Sequence, residues 1–563
     1  MLHNKKKVLL GLLPYWTPLI PPQGITYLKS ALEKNGHSVY TIDANIESQF
    51  KSIYDRYFNT LKNAIPEYNL SNLYNLGHNV MRDHMMAHIN YVDETEYIKL
   101  LDLIIFNTFY YKNDESFLYE LKNILDEFFE QLESYFLKIF YEFNPDVLGI
   151  SVLRDTIAPS LYIFKLIKEK NPNIMTVMGG SIFSDHLIKD TPNFKNFIDK
   201  TPFIDNILIG KGEGLFLKLL NGELPNDRKV FTLNDICEKE LNESLENFPD
   251  MSNFNVRQNY TYLAAQGSSS CPFQCSFCNV ATFYGKYTKK PVDQTVDEMV
   301  ELYEKYGHQM FFMNDALLNP IIDDLAKEFI SRNVSLYYDG YLRVDDESGK
   351  IENTLKWRKG GFYRARIGIE SGSQNVLDLM GKNITVEQSK RTLSALAKAG
   401  IKTTAYIVIG HPGETEKDFQ QTLDFVSEMR NYIWETECNP FIFAYTGQAD
   451  SVKWVKQRKL LYPAEAKDML MMESWTINCE PSRKETYDRV SRFVEHCKNI
   501  GIPNPYSLYE IQFADERWMK LHKNAVPSLI DFQNRNDIIS ENKEFKEICS
   551  LKSTLLDEGD FSF

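Results

Sequence analysis

The sequence lacks any apolar run long enough to cross a bilayer. A spanning helix needs roughly 18 to 20 consecutive apolar residues, and the longest candidate, residues 100–111, is broken by Asp102 and Asn107. No membrane partner is expected. No apolar signal segment follows Lys5, Lys6 and Lys7, so a cytoplasmic location is expected. Excess positive charge is also missing: 63 Lys and Arg face 77 Asp and Glu, for a net charge of −14. Such a chain repels polyanions, which excludes generic electrostatic binding of nucleic acid. Cysteine is scarce. Eight in 563 residues, with none before Cys237, argue for a reducing compartment and for metal or thiol chemistry over a disulfide framework. There is no internal repeat and no low-complexity run. What remains is globular composition, 43% hydrophobic and 25% charged, in a chain long enough for two to four domains.

Three of the eight cysteines fall within eight residues, Cys271-Pro-Phe-Gln-Cys275-Ser-Phe-Cys278, and no fourth lies close by. Structural zinc sites are closed by four protein ligands, whereas a cluster held by three thiolates leaves one iron open to an exogenous ligand. An open iron is a reaction site. The alternative is a zinc knuckle with a remote fourth ligand such as His308 or Cys438. The apolar stretch 260–265, a turn with Gly267 and three serines, the cysteines, and helical periodicity over 292–306 together read as a strand followed by a loop.

The segment CPFQCSFC resembles the cluster motif of the radical S-adenosylmethionine (radical SAM) superfamily, with Phe277 in the aromatic position before the third cysteine. The resemblance continues in order through Phe311-Phe-Met-Asn-Asp315, Tyr341-Leu-Arg343, Arg366-Ile-Gly-Ile-Glu-Ser-Gly-Ser373 and Tyr406-Ile-Val-Ile-Gly-His-Pro-Gly-Glu414. It implies one 4Fe-4S cluster on Cys271, Cys275 and Cys278, with the amine and carboxylate of S-adenosyl-L-methionine (SAM) chelating the open iron. These segments are apolar strand ends followed by polar or glycine turns, alternating with helical stretches at 376–381 and 385–399, which predicts a partial (β/α)6 TIM-type barrel over 258–447. Functional groups of such barrels gather at the C-terminal strand ends, where Asp315, Arg343, Glu370, Ser371 and Gly410 fall. The resemblance implies that these residues and Phe277 contact SAM. A short carboxylate at Asp315 suits an ammonium, Glu370 or Ser371 suits ribose or carboxylate, and the turn at Gly410, Pro412 and Gly413 admits adenine against the backbone. On the residues alone, Asp315 and Glu370 serve equally as helix caps or salt-bridge partners, and the glycine turn as a tight turn.

The N-terminal part has its own rhythm. Strands are expected at 8–13, 39–43, 146–151, 175–180 and 206–210, with helices at 25–35 and 159–170, the β-α-β order of a doubly wound, Rossmann-like sheet. Ligands of such sheets lie beyond the carboxyl ends of the strands, which nominates residues 14–24, 151–154 and 179–181. The order of segments, including Gly179-Gly-Ser181 and Ile209-Gly-Lys-Gly-Glu213, is similar to the cobalamin-binding domain that precedes the radical module in cobalamin-dependent radical SAM enzymes. That similarity implies cobalamin contacts from Pro14, Gly24, Ser151, Arg154, Gly179, Gly180, Ser181, Gly210 and Glu213. The D-x-H-x-x-G sequence that supplies an axial histidine in many cobalamin proteins is absent, so cobalamin is expected without a histidine axial ligand. A domain that has lost its cofactor is the alternative, and Arg154 equally caps the next helix.

The expected domains are therefore 1–221 with a helical insertion at about 47–142, a polar linker at 222–257, the barrel at 258–447, and a mostly helical C-terminal domain at 448–563. In the insertion, 94–110 and 115–140 carry apolar residues at three and four residue intervals. Its aromatics line a cavity or fill a helical layer, and His78, His84 and His88 are not expected to bind metal. Cys479, Cys497 and Cys549 lack the spacing of an auxiliary cluster and read as isolated core residues. The cysteine-free N-terminus argues against methylthiotransferases, a related family with a second cluster there.

The resemblance implies a radical SAM enzyme that takes an electron from a reductase, flavodoxin or ferredoxin and cleaves SAM to a 5′-deoxyadenosyl radical. The radical then acts on an unactivated carbon of a small-molecule or peptide substrate. With cobalamin the expected outcome is C-methylation. The alternatives are non-methylating rearrangement, cyclisation or epimerisation, and a non-catalytic iron-sulfur or zinc-binding protein. Catalytic residues beyond these cofactor contacts are not assigned.

Overall fold

The structure, a computed structural model, describes residues 5–70, 72–237, 248–443, 448, 451–462, 475–503, 508–522 and 525. The chain divides into two compact units, one of residues 1–260, 277–283 and 442–478, the other of residues 261–276, 284–441 and 479–563.

The first unit is built on a six-stranded parallel sheet of order β2-β1-β3-β4-β5-β6. Strand β1 (Lys7–Leu12) reads KVLLGL and is buried from its second residue onward, the continuous apolar pattern of a strand covered on both faces. Helix α1 (Gln23–Lys34) leads to β2 (Ser38–Asp43) at the sheet edge. The chain then leaves the sheet for about a hundred residues and returns as β3 (Val147–Ser151), β4 (Met175–Gly179), β5 (Asn206–Ile209) and β6 (Val230–Thr232). The sixth strand lies inside the stretch assigned to a linker from sequence. Three residues, VFT, are too short for a period to be read, and pairing with β5 fixes them. Because β2 and β3 flank β1 on opposite sides, the strand order reverses there, and the switch point lies beyond the ends of β1 and β3.

The insertion is helical: α2 (Ser48–Ala64), α3 (Glu67–Leu70), α4 (Leu73–Asn90), α5 (Glu94–Phe109) and α6 (Glu115–Phe143). Asp114 starts α6 by accepting the Ser116 N–H at 2.7 Å, and Asn144 ends it in the left-handed region at φ 50°. Between these caps Phe117, Leu121, Leu125, Phe128, Leu132, Phe136 and Phe140 form a buried stripe. At roughly 1.5 to 3 kcal/mol per buried side chain this stripe, rather than propensity, holds a 29-residue helix in place. Tyr15, just after β1, packs its ring on Tyr54 and Phe128 at 5.5 and 5.1 Å, so the insertion sits against the end of that strand. The ring nitrogens of His84 meet the hydroxyls of Tyr57 and Tyr97 at 2.9 and 2.5 Å, and burial holds its pKa well below the usual value. His78 meets Tyr54 at 2.7 Å. These contacts make the histidines part of a packed layer.

The second unit is a six-stranded parallel sheet of order β14-β13-β12-β11-β10-β7. Its strands are β7 (Leu263–Ala265), β10 (Met310–Met313), β11 (Tyr337–Arg343), β12 (Phe362–Glu370), β13 (Lys402–Ile409) and β14 (Glu435–Pro440), with the short antiparallel pair β8 (Ser268–Ser269) and β9 (Thr288–Lys289) after the first. Helices 292–306, 322–331, 351–359, 386–398 and 416–429 connect successive strands, the expected (β/α)6 arrangement.

The described residues after 448 are divided between the two units. Residues up to 478 belong to the first unit and include an antiparallel pair, β15 (Arg458–Leu460) with β16 (Trp475–Ile477), while the helix 483–499 packs in the second unit. Cys549 lies outside the described residues. No described helix is long and apolar enough to cross a membrane.

Candidate functional site

The loop after β7 carries the three cysteines. All described cysteines are free thiols; Cys275 is buried, and Cys271 and Cys278 are partly exposed. Two contacts within the second unit fix the middle of the loop. Arg343, the last residue of β11, points Nη1 at Cys275 Sγ across 3.3 Å while its guanidinium lies over the Phe273 ring at 4.0 Å. Ser276 Oγ meets His411 Nε2 at 3.0 Å, and its N–H donates to the carbonyl of Met380 at 2.8 Å. A donor placed on a ligand sulfur and a loop pinned from two strands suit a metal-bound thiolate.

The zinc alternative fares poorly. Among the described residues no three His, Cys, Asp or Glu side chains converge on a single ion, a convergence that a cluster spreading its ligands around several irons does not require. His308 precedes β10 and so lies at the N-terminal end of the sheet, opposite the loop that follows β7. Cys438 faces the helix 483–499, where burial raises its thiol pKa well above the usual value beside Cys497.

The residues expected at the barrel mouth are all found at C-terminal strand ends, with these partners. Asp315, two residues past β10, is buried and accepts from Ser268 Oγ at 2.5 Å and the Gly267 N–H at 3.1 Å. Burial raises its carboxyl above the usual value and those donors pull it back. It ties β8 to β10 and caps no helix. Glu370 ends β12 in the left-handed region at φ 66°, after a register shift, and is paired with Lys382 Nζ at 2.5 Å with both side chains under a tenth exposed. A non-glycine residue held there costs about 1 to 2 kcal/mol. Ser371 Oγ meets Thr422 Oγ1 at 3.0 Å and accepts the Ser373 N–H at 3.1 Å. Gly410 has φ 82°, and a Cβ there would lie 2.2 Å from Thr486 Oγ1, so only glycine fits. Its N–H donates to Glu414 at 2.8 Å. Phe277 belongs to the first unit, where its carbonyl accepts from Gln448 Nε2 at 2.9 Å.

Lys382, His411, Glu414 and Arg489 were not picked out from sequence. Glu414 is buried against Arg489 Nη1 at 3.0 Å; burial pushes its carboxyl up to about 7, opposed by the Gly410 N–H and the guanidinium. The signal for His411 and Glu414 was their place in the glycine turn. Nothing local marks Lys382 or Arg489, whose partners lie 12 and 75 residues away.

In the first unit the nominated residues line the carboxyl edge of the sheet. Pro14 follows β1, and a Cβ on Gly24 would lie 3.8 Å from Ser151 Oγ at the end of β3. Gly179 ends β4, and its carbonyl accepts the Val152 N–H at 2.8 Å. Gly180 has φ 111°, and a Cβ there would lie 2.3 Å from the Val152 carbonyl, so this crossing of two strand ends requires glycine. Ser181 precedes the short helix 182–185. Gly210, at φ 104°, follows β5, and Glu213 sits in the first turn of the next helix with Oε2 buried and unpaired among the described residues. Burial raises its carboxyl above the usual value. Arg154 caps no helix; it donates to Asp155 at 3.2 Å and to Asn79 of α4 at 3.0 Å.

Residues 267–426 match the family model of the Radical SAM superfamily. The chain is 26% identical over 327 residues to an uncharacterized methyltransferase, PH0819, of Pyrococcus horikoshii, covering 54% of this chain and 69% of that protein. It is also 26% identical over 343 residues to the anaerobic magnesium-protoporphyrin IX monomethyl ester cyclase of Rubrivivax gelatinosus, covering 55% and 60%. The solved structure of the radical SAM methyltransferase TsrM from Kitasatospora setae, with cobalamin and a [4Fe-4S] cluster bound, superposes with a TM-score of 0.57 at 13% identity, over 96% of this chain and 100% of that one. Barrel, cysteine loop and family match agree on the class: residues 267–426 form a Radical SAM domain, and that family implies a 4Fe-4S cluster and SAM. More narrowly, the chain has the fold of the cobalamin-dependent radical SAM methyltransferases.

Proposed function

We propose that the chain is a cobalamin-dependent radical SAM enzyme that functionalises an unactivated carbon, by C-methylation, on a small-molecule or peptide substrate. The single observation that carries the reading is the three-cysteine loop at the C-terminal mouth of a parallel barrel, with Arg343 donating to Cys275. Cys271, Cys275 and Cys278 would hold the cluster. When bound, the cluster supplies the electron that splits SAM into methionine and a 5′-deoxyadenosyl radical, and cobalamin supplies the methyl carrier. The chain's own residues position and shield. Arg343 and His411 set the loop, Gly410 lets Thr486 of the helix 483–499 close on the strand end, and Asp315 holds the β8 turn.

The first unit suits cobalamin on its own evidence. The crossing at Gly180, the positive-φ turn at Gly210 and the unpaired Oε2 of Glu213 gather at the carboxyl edge of an open sheet. Binding without a histidine axial ligand is part of this proposal: the loops after β1, β3, β4 and β5, residues 13–22, 152–156, 180–181 and 210–211, contain no histidine, and His78 of the insertion is hydrogen-bonded to Tyr54. The similarity to a cyclase of Rubrivivax gelatinosus supports a second reading, cyclisation. An external one-electron donor of the flavodoxin or ferredoxin class would serve either reaction.

The test is anaerobic reconstitution with iron, sulfide and hydroxocobalamin, followed by metal analysis and an assay for 5′-deoxyadenosine after dithionite. About four irons per chain, one cobalt and 5′-deoxyadenosine support the reading. Four irons without cobalt remove the methyl carrier, and no iron-dependent SAM cleavage overturns the enzyme.

A further inference from the structure

The inner wall of the barrel can be read from strand alternation. On β14, Thr436 Oγ1 donates to Cys497 Sγ on the helix 483–499, so Thr436 and Cys438 face the helical layer and Glu435, Glu437 and Asn439 face the lumen. Register extends this wall: Tyr406 pairs with Glu437, Gly368 with Tyr406, and Arg343 with Gly368.

The lower wall is charged and neutralised. Arg364 is paired with Glu435, which also accepts from Thr404 at 2.7 Å, and Arg366 donates twice to Asp339 at 2.9 and 3.0 Å. At the upper rim Glu370 is taken by Lys382. The level between is different. Tyr341 is 36% exposed, Tyr406 and Glu437 are partly exposed, and the rings of Tyr341 and Tyr406 lie 6.0 Å apart, with Phe312 edge-on to Tyr341 at 5.9 Å. Gly368 contributes no side chain between them. Arg343, in register with Glu437 through Gly368 and Tyr406, is turned to Cys275, and Glu437 makes no hydrogen bond or ion pair with any described residue, so this level offers two tyrosine faces and a carboxylate unpartnered among the described residues.

A cation is the ligand such a level recognises. An ammonium can donate a charge-assisted hydrogen bond to Glu437 and meet the negative faces of the two rings, while the guanidiniums nearby are already engaged, Arg343 with Cys275 and Phe273 and Arg366 with Asp339. We propose that the substrate carries a protonated amine, and that Glu437, with the rings of Tyr341 and Tyr406, holds it in the barrel lumen. The assignment deepens the radical SAM reading and rests on it for the word substrate, but binding is testable without any radical step.

The experiment titrates the anaerobically purified full chain, without reductant, with 2-phenylethylamine and with its neutral analogue 2-phenylethanol, followed by saturation-transfer NMR and calorimetry. The amine is expected to bind about tenfold or more tighter than the alcohol, the scale of one charge-assisted hydrogen bond. Glu437→Gln should erase that preference. Tyr406→Leu should weaken the amine while Tyr406→Phe, which keeps the ring face, should not. No saturable amine signal, equal binding of amine and alcohol, or a preference that survives in E437Q overturns the proposal. So does E437Q weakening SAM in place of the amine. Failure of the 5′-deoxyadenosine assay would overturn the radical reading and leave the amine preference standing as a binding site.

Discussion

Replacing Arg343 by Met should make the iron-sulfur cluster harder to reduce. The substitution keeps an apolar stem beside Phe273 and removes the charge and the N–H that point at Cys275 Sγ across 3.3 Å. A unit charge at that distance with an effective dielectric near 20 is worth about 5 kcal/mol. If roughly a quarter of an added electron is felt at one of four irons, the loss is about 1.3 kcal/mol, or about 55 mV for a one-electron couple at 59 mV per tenfold change. The sign follows from the guanidinium favouring the more negative, reduced state, so its removal lowers the potential. Arg343→Lys should recover part of the shift, since the charge remains but the stacked, planar fork does not. The assay is an anaerobic redox titration without SAM, followed by the electron paramagnetic resonance signal of the reduced cluster, on variants with unchanged iron content. An unchanged potential, or one that rises, refutes the role assigned to this contact.

Three further expectations concern the same barrel. Lys382→Met leaves Glu370 buried without its cation and should cost about 3 to 5 kcal/mol in chemical denaturation, while Glu370→Gln in the same chain should restore most of it. Gly410→Ala combines positive φ with a Cβ 2.2 Å from Thr486 Oγ1 and should cost about 2 kcal/mol or more, read as a lowered melting temperature. Glu414 has a folded pKa raised to about 7 from 4.5, so its protonated form favours the fold below pH 4.5, and that stability is lost as pH rises through 7. The loss amounts to roughly 3 kcal/mol by linkage, and Glu414→Gln should flatten unfolding free energy against pH over that window.

Most of the fold was legible because both sheets are parallel and their strands announce themselves as short apolar runs before glycine or polar turns. Helix 292–306 and strands β1 to β5 fall within a residue or two of their expected bounds. β6 and the pair β15 and β16 were not legible, since three-residue strands have no period and exist only through pairing. The site divides the same way. Cys271, Cys275 and Cys278 are adjacent in sequence and their spacing carries the chemistry. Arg343 was placed correctly at a strand end, but its turn toward Cys275 depends on a partner 68 residues away. The lumen wall was hidden by its own composition: polar Arg364, Arg366, Thr404, Tyr406, Glu435 and Glu437 alternate with residues that face the helices, whereas a buried parallel strand is expected to read apolar on both faces.

The insertion between β2 and β3 also governs how the first sheet can assemble. Val8 pairs with Val147, so the central ladder joins residues 139 positions apart. Closing so long an open loop costs only about 1 kcal/mol more than closing one a third its length, but the search is slow, because pairing distant in sequence delays folding far more than it weakens the product. Helices α2 to α6 can form locally and bring their ends together before the strands meet, so that α6 delivers β3 to a partner already lying nearby. The element packed at the end of β1 in the finished protein is thus placed to serve as the scaffold on which its sheet is zipped.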